Sequence, residues 1–232
     1  FTPDLRAEAV KIVSRYKLGP MFTPPIVSRW EGPLATLTLP TATGGANWQG
    51  GSFDPETGLL YVFSNTSIGT RGLVPGDPAR TDMRYVNGLA PAPAGADAGQ
   101  GGGLNPQGLP LVKPPYGQIS AIDLTRGEIR WQVPVGEDQH LGVQGLTNFG
   151  PPLVTAGGLV FHAGSTELKL RAHDAQTGQV LATFALPAGL HAGPISYKLT
   201  PDGKQYLVIA PGGHQGLGSQ LGDAVIAYTL LD

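Results

Sequence analysis

Five histidines and no cysteine set the range of side-chain chemistry open to this chain of 232 residues. Without thiols there are no disulfides, no thiolate metal sites and no cysteine nucleophile. His162 and His173 fall in strand-like runs and are expected to be structural or exposed. His140 sits in the polar stretch Gly136-Glu137-Asp138-Gln139-His140, a turn-like sequence. His191 and His214 remain as a candidate pair, yet no carboxylate accompanies either at a ligand-like spacing, so no metal site is expected. His214 lies among glycines, in Gly212-Gly213-His214-Gln215-Gly216, where the backbone can approach a flat ligand closely and an imidazole can donate to a carboxylate or carbonyl. Asn47 and Trp48 occupy a similar setting, Gly44-Gly45-Ala46-Asn47-Trp48; an amide there can serve a carbonyl oxygen without bringing a charge, or can simply occupy a turn. Asp54, Asp123 and Asp174 each head an Asp-x-x-(Thr or Arg)-Gly stretch. An aspartate in that context bonds backbone amides two residues on while the glycine takes positive φ, so these carboxylates are expected to build turns rather than to catalyse.

The elements that must carry these residues are mostly strands. Gly (35) and Pro (22) are abundant and only 14% of residues are charged, but the net charge is just −2 and 41% are apolar, which argues for a folded, turn-rich chain rather than disorder. A pI near 6.2 with scattered Lys and Arg offers no footprint for nucleic acid. No apolar run approaches the length of a membrane-spanning helix. Thr2-Pro3-Asp4 supplies a cap, and Leu5, Ala9, Ile12, Val13 and Tyr16 follow at helical spacing until Gly19-Pro20, so one short N-terminal helix is expected. Leu34–Leu39 alternates like a strand. Leu59–Phe63, Leu159–Phe161 and Tyr206–Ala210 are continuously apolar and read as strands buried on both faces. Residues 1–30 thus read as helix and irregular connector and 31–232 as blades, interrupted by a Gly/Pro-rich insertion at about 65–115 with almost no periodicity, either a loop or partly disordered.

A repeat decides the fold class. Ala121-Ile122-Asp123-Leu124-Thr125-Arg126-Gly127 matches Ala172-His173-Asp174-Ala175-Gln176-Thr177-Gly178 about fifty residues later, each followed by an alternating strand. Weaker copies start at Asp54 and Thr200. Such a unit buries its sheet faces only by stacking on its neighbours, which predicts an all-β, partial β-propeller of about three to four blades. A ring needs more blades than that, so open sheet faces are expected. Phe1-Thr2-Pro3-Asp4 is neither an initiator methionine nor an export signal, so the protein is expected to begin elsewhere.

Several blocks are together similar to one family. Gly44-Gly45-Ala46-Asn47-Trp48, followed by Phe53-Asp54-Pro55-Glu56-Thr57-Gly58-Leu59-Leu60-Tyr61-Val62, resembles the quinoprotein glucose and alcohol dehydrogenases, which carry pyrroloquinoline quinone (PQQ). Leu109–Gly117, Thr155–Phe161, Gly212–Gly218 and Gly222–Tyr228 follow in the family's order, closest to its glucose/quinate dehydrogenase branch. The resemblance implies an eight-bladed propeller of which this chain is the C-terminal portion, with PQQ near the axis. It implies oxidation of a sugar, polyol or alcohol, electrons leaving to ubiquinone or a cytochrome, and a periplasmic location. It places Asn47, Trp48 and His214 at the cofactor. The family's catalytic Asp and Ca²⁺ ligands find no matching segment here, so the catalytic residue is unknown, the metal ligands are expected outside the chain with the remaining blades, and the isolated chain is expected to be inactive.

Two segments depart from the family's pattern. His191-Ala192-Gly193-Pro194 stands where the family more often reads Gln-Ala-Thr-Pro. Thr147-Asn148-Phe149-Gly150-Pro151-Pro152 replaces a more glycine-rich stretch, which leaves substrate identity and the facing of Asn148 open. The competing reading is a non-catalytic scaffold or binding protein built from the same PQQ-like repeats, which would keep the Asp turns but has no reason to keep Asn47-Trp48 or His214. A sugar-binding or lactonase-type propeller would need a carboxylate ring with metal spacing, and none is present.

Overall fold

The computed structural model describes residues 2–96, 104–138, 142–164 and 166–230. Gln139 and His140 of the polar stretch lie outside the described residues. The chain divides into two compact units, one of residues 1–43 and 67–113, the other of 44–66 and 114–232.

In the first unit the Thr2 hydroxyl accepts the Leu5 N–H at 3.2 Å and opens helix α1 (Pro3–Val13), with Asp4 in the first turn. The helix stops earlier than its periodicity suggests. Lys17 N–H bonds Ala35 O at 2.8 Å and Lys17 O accepts Leu37 N–H at 3.0 Å, so tertiary pairing draws the backbone straight before Gly19-Pro20 is reached. Strands β1 (Ile26–Val27) and β2 (Thr36–Thr38) follow. The expected alternation over 34–39 is not realised: Leu34, Ala35 and Thr36 are all buried, because the first two precede the strand and pack with Tyr16 against Ile12, Trp30, Leu37 and Leu104.

The second unit begins with β3 (Gly51–Asp54) and β4 (Leu59–Asn65). The chain then returns to the first unit for β5 (Gly69–Pro75) and β6 (Tyr85–Asn87), where β5 pairs with β1, β2 and β6. The 65–115 segment is therefore not uniformly irregular. These strands were invisible to periodicity because backbone packing, not an apolar face, holds them: a Cβ at Gly72 would sit 2.6 Å from Gly88 O and 3.1 Å from Leu34 O.

From Pro114 onward the second unit adds β7 (Gly117–Asp123) and β8 (Glu128–Pro134), which complete an antiparallel sheet β3-β4-β7-β8. A two-stranded ribbon, β9 (Glu137–Asp138) and β10 (Val143–Gln144), comes next. A second four-stranded sheet consists of β11 (Leu153–Val154), β12 (Leu159–Ala163), β13 (Lys169–Asp174) and β14 (Val180–Ala185). The last is β15 (Ile195–Lys198), β16 (Gln205–Ile209) and β17 (Ile226–Thr229). These three sheets pack face to face without closing into a ring: a partial β-propeller. Leu59, Tyr61 and Ala121 meet Val160 and Ala175 between the first two sheets. Leu170 and Ala163 meet Leu207 and Ile209 between the second and third.

None of the three apolar runs is fully buried on both faces: even in the middle sheet Val160 is buried while Leu159 and Phe161 are half-buried. Along β4, Leu59, Tyr61 and Phe63 are buried while Leu60 and Val62 are half-buried, and β16 alternates likewise. Each outer sheet has a packed neighbour on one face only within this unit.

The repeat has the turn chemistry its sequence predicts. Asp123 accepts the N–H of Thr125 (3.0 Å) and of Arg126 (3.2 Å) and the Thr125 hydroxyl (2.6 Å). Asp174 does the same with Gln176, Thr177 and the Thr177 hydroxyl. Asp54 takes the Glu56 N–H and the Thr57 hydroxyl. Gly58, Gly127 and Gly178 follow with φ of 70°, 70° and 75°. In all three the threonine hydroxyl is the main influence holding the aspartate below its usual carboxylate range. The two strong copies also share a register shift at the same repeat position, Ala121/Ile122 and Ala172/His173.

Candidate functional site

In the second unit the two four-stranded sheets have two unlike ends. Leu59 pairs with Asp123 and Leu159 with Asp174 at one end, where the Asp turns lie. Asn65 pairs with Gly117 and Ala163 with Leu170 at the other. The sheets keep this sense across their interfaces, because Tyr61 Oη and Trp131 Nε1 both donate to Ala175 O beside the Asp174 turn (3.1 and 2.9 Å). At the far end the Asn65 side-chain amide donates to Asn148 O at 2.7 Å and accepts the Asn148 N–H at 2.9 Å. The long connections at that far end carry Asn47, Trp48, Asn148, Glu167, His191 and His214.

Asn47 is exposed and its Oδ1 accepts the Trp48 N–H at 2.7 Å. Trp48 is 77% exposed, an indole whose faces are mostly open to solvent. Gln49, next in line, is the reverse: it is buried, and both its amide atoms lack a hydrogen-bond partner. Sequence reading passed over Gln49, although it continues the Asn-Trp stretch between glycines.

His214 has extended backbone (φ −156°) and enters a short 3₁₀ turn, Gln215–Leu217, closed by Gly218 at φ 68°. Its N–H donates to Ser219 Oγ at 2.8 Å. The same hydroxyl lies 2.7 Å from His191 Nε2, and the two imidazoles stand edge to face with centroids 6.0 Å apart. Burial, and then the neighbouring His214, push the His191 pKa down. Ser219 and His191 have the distance of a nucleophile–base pair, but the serine is 7% exposed and its oxygen already receives the His214 N–H, which assigns it to holding the loop.

His162 and His173 are wholly buried, not exposed. His162 stacks on Phe63 (4.8 Å) between the first two sheets, with Nε2 3.0 Å from Gly150 O. That carbonyl requires N–H on Nε2 and leaves Nδ1 a bare buried acceptor. Burial, helped by His173 and Arg171, drives its pKa down to about 3, so the ring is neutral near pH 7. Asn148 is 2% exposed and is drawn into the same interior, its side-chain amide donating to Ala163 O and accepting the Phe149 N–H.

Glu167, beside a narrow cleft that Val135, Thr147, Asn148 and Thr166 also line, bonds Lys169 and Arg171 through Oε1. Its Oε2 and Arg171 Nη1 are buried without partners. Burial opposes its charge, yet the bonds and charges of Arg171 and Lys169 outweigh it and hold the carboxyl below the usual range. Buried unsatisfied groups cost about 1–3 kcal/mol each, and Gln49, Glu167, Arg171 and His191 place most of them at this end of the sheets.

Comparison with known proteins gives this arrangement a context. The family model described as PQQ: glucose/ethanol/alcohol dehydrogenase, β-propeller domain, matches residues 1–207. A probable quinate dehydrogenase (quinone) of Xanthomonas campestris pv. juglandis is 37% identical over 220 residues, 87% of this chain and 28% of that protein. The glycerol dehydrogenase large subunit of Gluconobacter oxydans is 32% identical over 248 residues, covering 91% of the chain and 31% of the relative. The quinoprotein glucose dehydrogenase of Escherichia coli is 31% identical over 91% of the chain and 28% of the relative. Among solved structures, a europium-containing methanol dehydrogenase superposes with a TM-score of 0.51 at 26% identity, over 75% of this chain and 26% of that one. The quinohemoprotein alcohol dehydrogenase ADH-IIG of Pseudomonas putida gives 0.54 at 23% over 80% and 24%, a likeness of fold. The chain thus spans less than a third of the length of these curated relatives.

Proposed function

Since this chain belongs to the family of PQQ-dependent glucose, ethanol and alcohol dehydrogenases, we propose that it is the cofactor-cradling part of a quinoprotein dehydrogenase that oxidises a sugar, polyol or alcohol hydroxyl. The relatives named for quinate, glycerol and glucose support a polyhydroxylated substrate. Electrons pass to a quinone or cytochrome, in a periplasmic setting. No described helix is long and apolar enough to cross a membrane. The proposed partners include the remaining propeller blades, which would also supply the catalytic Asp and the ligands for Ca²⁺.

The residues at the loop end fit PQQ, a flat, polar, anionic group. Trp48 offers a mostly uncovered aromatic face, suited to stacking. Gln49 holds a buried donor and acceptor beside it that nothing among the described residues satisfies. A side chain at Gly213 would run into Gln220 O, so the glycine there keeps the His214 loop flat. In this reading Trp48 bounds the group, the Asn47 amide lies at its oxygens, and the His214 imidazole donates to a carboxylate or carbonyl. PQQ when bound supplies the two-electron acceptor. The protein's part is to orient it, to exclude water with the Trp48 ring, and to offer the His214 imidazole as a hydrogen-bond donor to a ligand oxygen.

The match across residues 1–207 carries the proposal. Its test is the full-length protein reconstituted with PQQ and Ca²⁺ and assayed for dye reduction with glucose, quinate, glycerol and ethanol. Cofactor-dependent turnover of at least one, weakened about tenfold or more in Trp48→Ala and His214→Ala, is the expected outcome. No cofactor-dependent reduction with any of them would leave the scaffold reading in its place.

A further inference from the structure

We propose that His191 is a positioning residue for His214: together with the buried Ser219 hydroxyl it clamps the 212–222 loop and fixes where the His214 imidazole is presented. The inference rests on the cofactor reading for its consequence, but its physical content lies in this chain alone.

The connection before β15 and the loop before β17 are zipped together by backbone bonds. Gly189 N–H donates to Gln220 O at 3.1 Å and Gly213 N–H to Gly189 O at 2.8 Å. Gln220 Nε2 donates to Pro187 O at 2.9 Å. These bonds fix the base of the loop; at its tip His214 O accepts the Leu217 and Ser219 N–H at 3.1 and 3.3 Å, an internal turn that leaves the link to the connection before β15 to side chains. Ser219 is the one that reaches across: its oxygen takes the His214 N–H at 2.8 Å and stands 2.7 Å from His191 Nε2. A hydroxyl has one proton. Ser219 donates it to a bare His191 Nε2, or turns it to His214 O at 3.4 Å while Nε2–H donates to the serine; in both cases the Ser219 oxygen bridges His191 to the loop. Nδ1 is buried without a partner, so His191 is held by this one polar bond and by its edge-to-face contact with the His214 ring. A Cβ at Gly216 would lie 3.2 Å from His214 Cε1. The His214 ring is exposed, with the His191 ring and the Gly216 backbone as its near neighbours. Removing His191 takes away both its bond to Ser219 and its contact with the His214 ring.

The test compares His191→Leu, His191→Gln and Ser219→Ala in the full-length protein by two readouts. In the cofactor-free protein, amide exchange across residues 213–222 should rise about tenfold in His191→Leu and Ser219→Ala. It should stay near wild type in His191→Gln, whose amide can still meet Ser219, and strands β12 and β13 should keep their protection in all three. By absorbance titration, PQQ should bind about tenfold more weakly to the first two and within about threefold of wild type to His191→Gln. Unchanged exchange in His191→Leu would overturn the clamp, as would a His191→Gln variant as loose as His191→Leu. Failure of wild type to bind PQQ would remove the cofactor reading while the exchange data still decide the clamp. Should His191→Leu lose protection in β12 and β13 as well, Ser219→Ala against wild type and His191→Gln makes the same decision, since it deletes only the hydroxyl.

Discussion

The two ends of the sheets in the second unit are built on opposite principles. At the turn end, Asp54, Asp123 and Asp174 satisfy their own hairpins within four residues, and the glycine that follows closes each turn. At the loop end, connections run long, Trp48 stands in solvent, and Gln49, Glu167, Arg171 and His191 keep buried polar atoms without partners. The turn aspartates are satisfied locally, with His173 Nε2 beside them the exception; the loop end leaves more buried hydrogen-bonding capacity unused. That difference is what an apparatus for holding a ligand requires: a rigid end that fixes the sheets, and an end with hydrogen-bonding capacity left over.

Acidification should separate the two ends most strongly. His162, next to the loop end of β12, has a folded pKa of about 3 against an ordinary 6.5. Between those values the unfolded chain binds a proton that the folded chain refuses, so stability rises with pH across this window. The contribution is complete above 6.5 and is lost as pH falls toward 3, a change on the order of 4 kcal/mol at its limit. His173, also lowered, acts in the same direction. The turn aspartates act later, because their lowered pKa protects stability until pH drops below the unfolded carboxylate value. Urea midpoints measured from about pH 7 to about pH 4 should fall steadily in wild type and less steeply in His162→Leu. Equal slopes would mean that the buried imidazole is not what acid attacks first.

Gly178→Ala probes the turn end. Its φ of 75° disfavours any Cβ, and the added atom would lie 2.7 Å from the Trp131 ring. A loss of about 2 kcal/mol or more in stability is expected from the conformation and the crowding together, with PQQ affinity unchanged wherever the protein is folded. A cofactor defect at conditions of full folding would blur the division between the ends.

The smallest effect sharpens the loop end. Gln49→Leu removes a buried amide that has no partner, so the cofactor-free protein should keep its stability or gain about 1 kcal/mol. PQQ binding should weaken if that amide is the unsatisfied half of the site. A destabilised cofactor-free variant would show instead that Gln49 serves the fold.

How much was legible in the sequence follows the same division. The Asp-x-x-(Thr or Arg)-Gly turns could be read directly, because an aspartate and the amides two and three residues on meet whatever the rest of the chain does. The start of α1 was visible for the same reason, and its end was not, since the bonds between Lys17 and 35–37 come from another segment. β5 and β6 escaped because glycines packed against backbone leave no apolar rhythm. At the loop end the family resemblance pointed to Asn47, Trp48 and His214. Gln49, and the Ser219 bridge between His191 and His214, left no signal in spacing.

By itself the sequence determined the local units: the capped helix start, the turns, and the repeat that makes them blades. Each of these is decided over a few consecutive residues, where side chain and backbone are already neighbours. Only the tertiary structure decided that His162 and His173 are neutral core residues rather than exposed ones, that Asn148 faces inward, and that His191 leans on His214. Burial and charge state depend on which sheet face meets which neighbour, and that is set by packing between strands distant in the chain, not by the residues themselves.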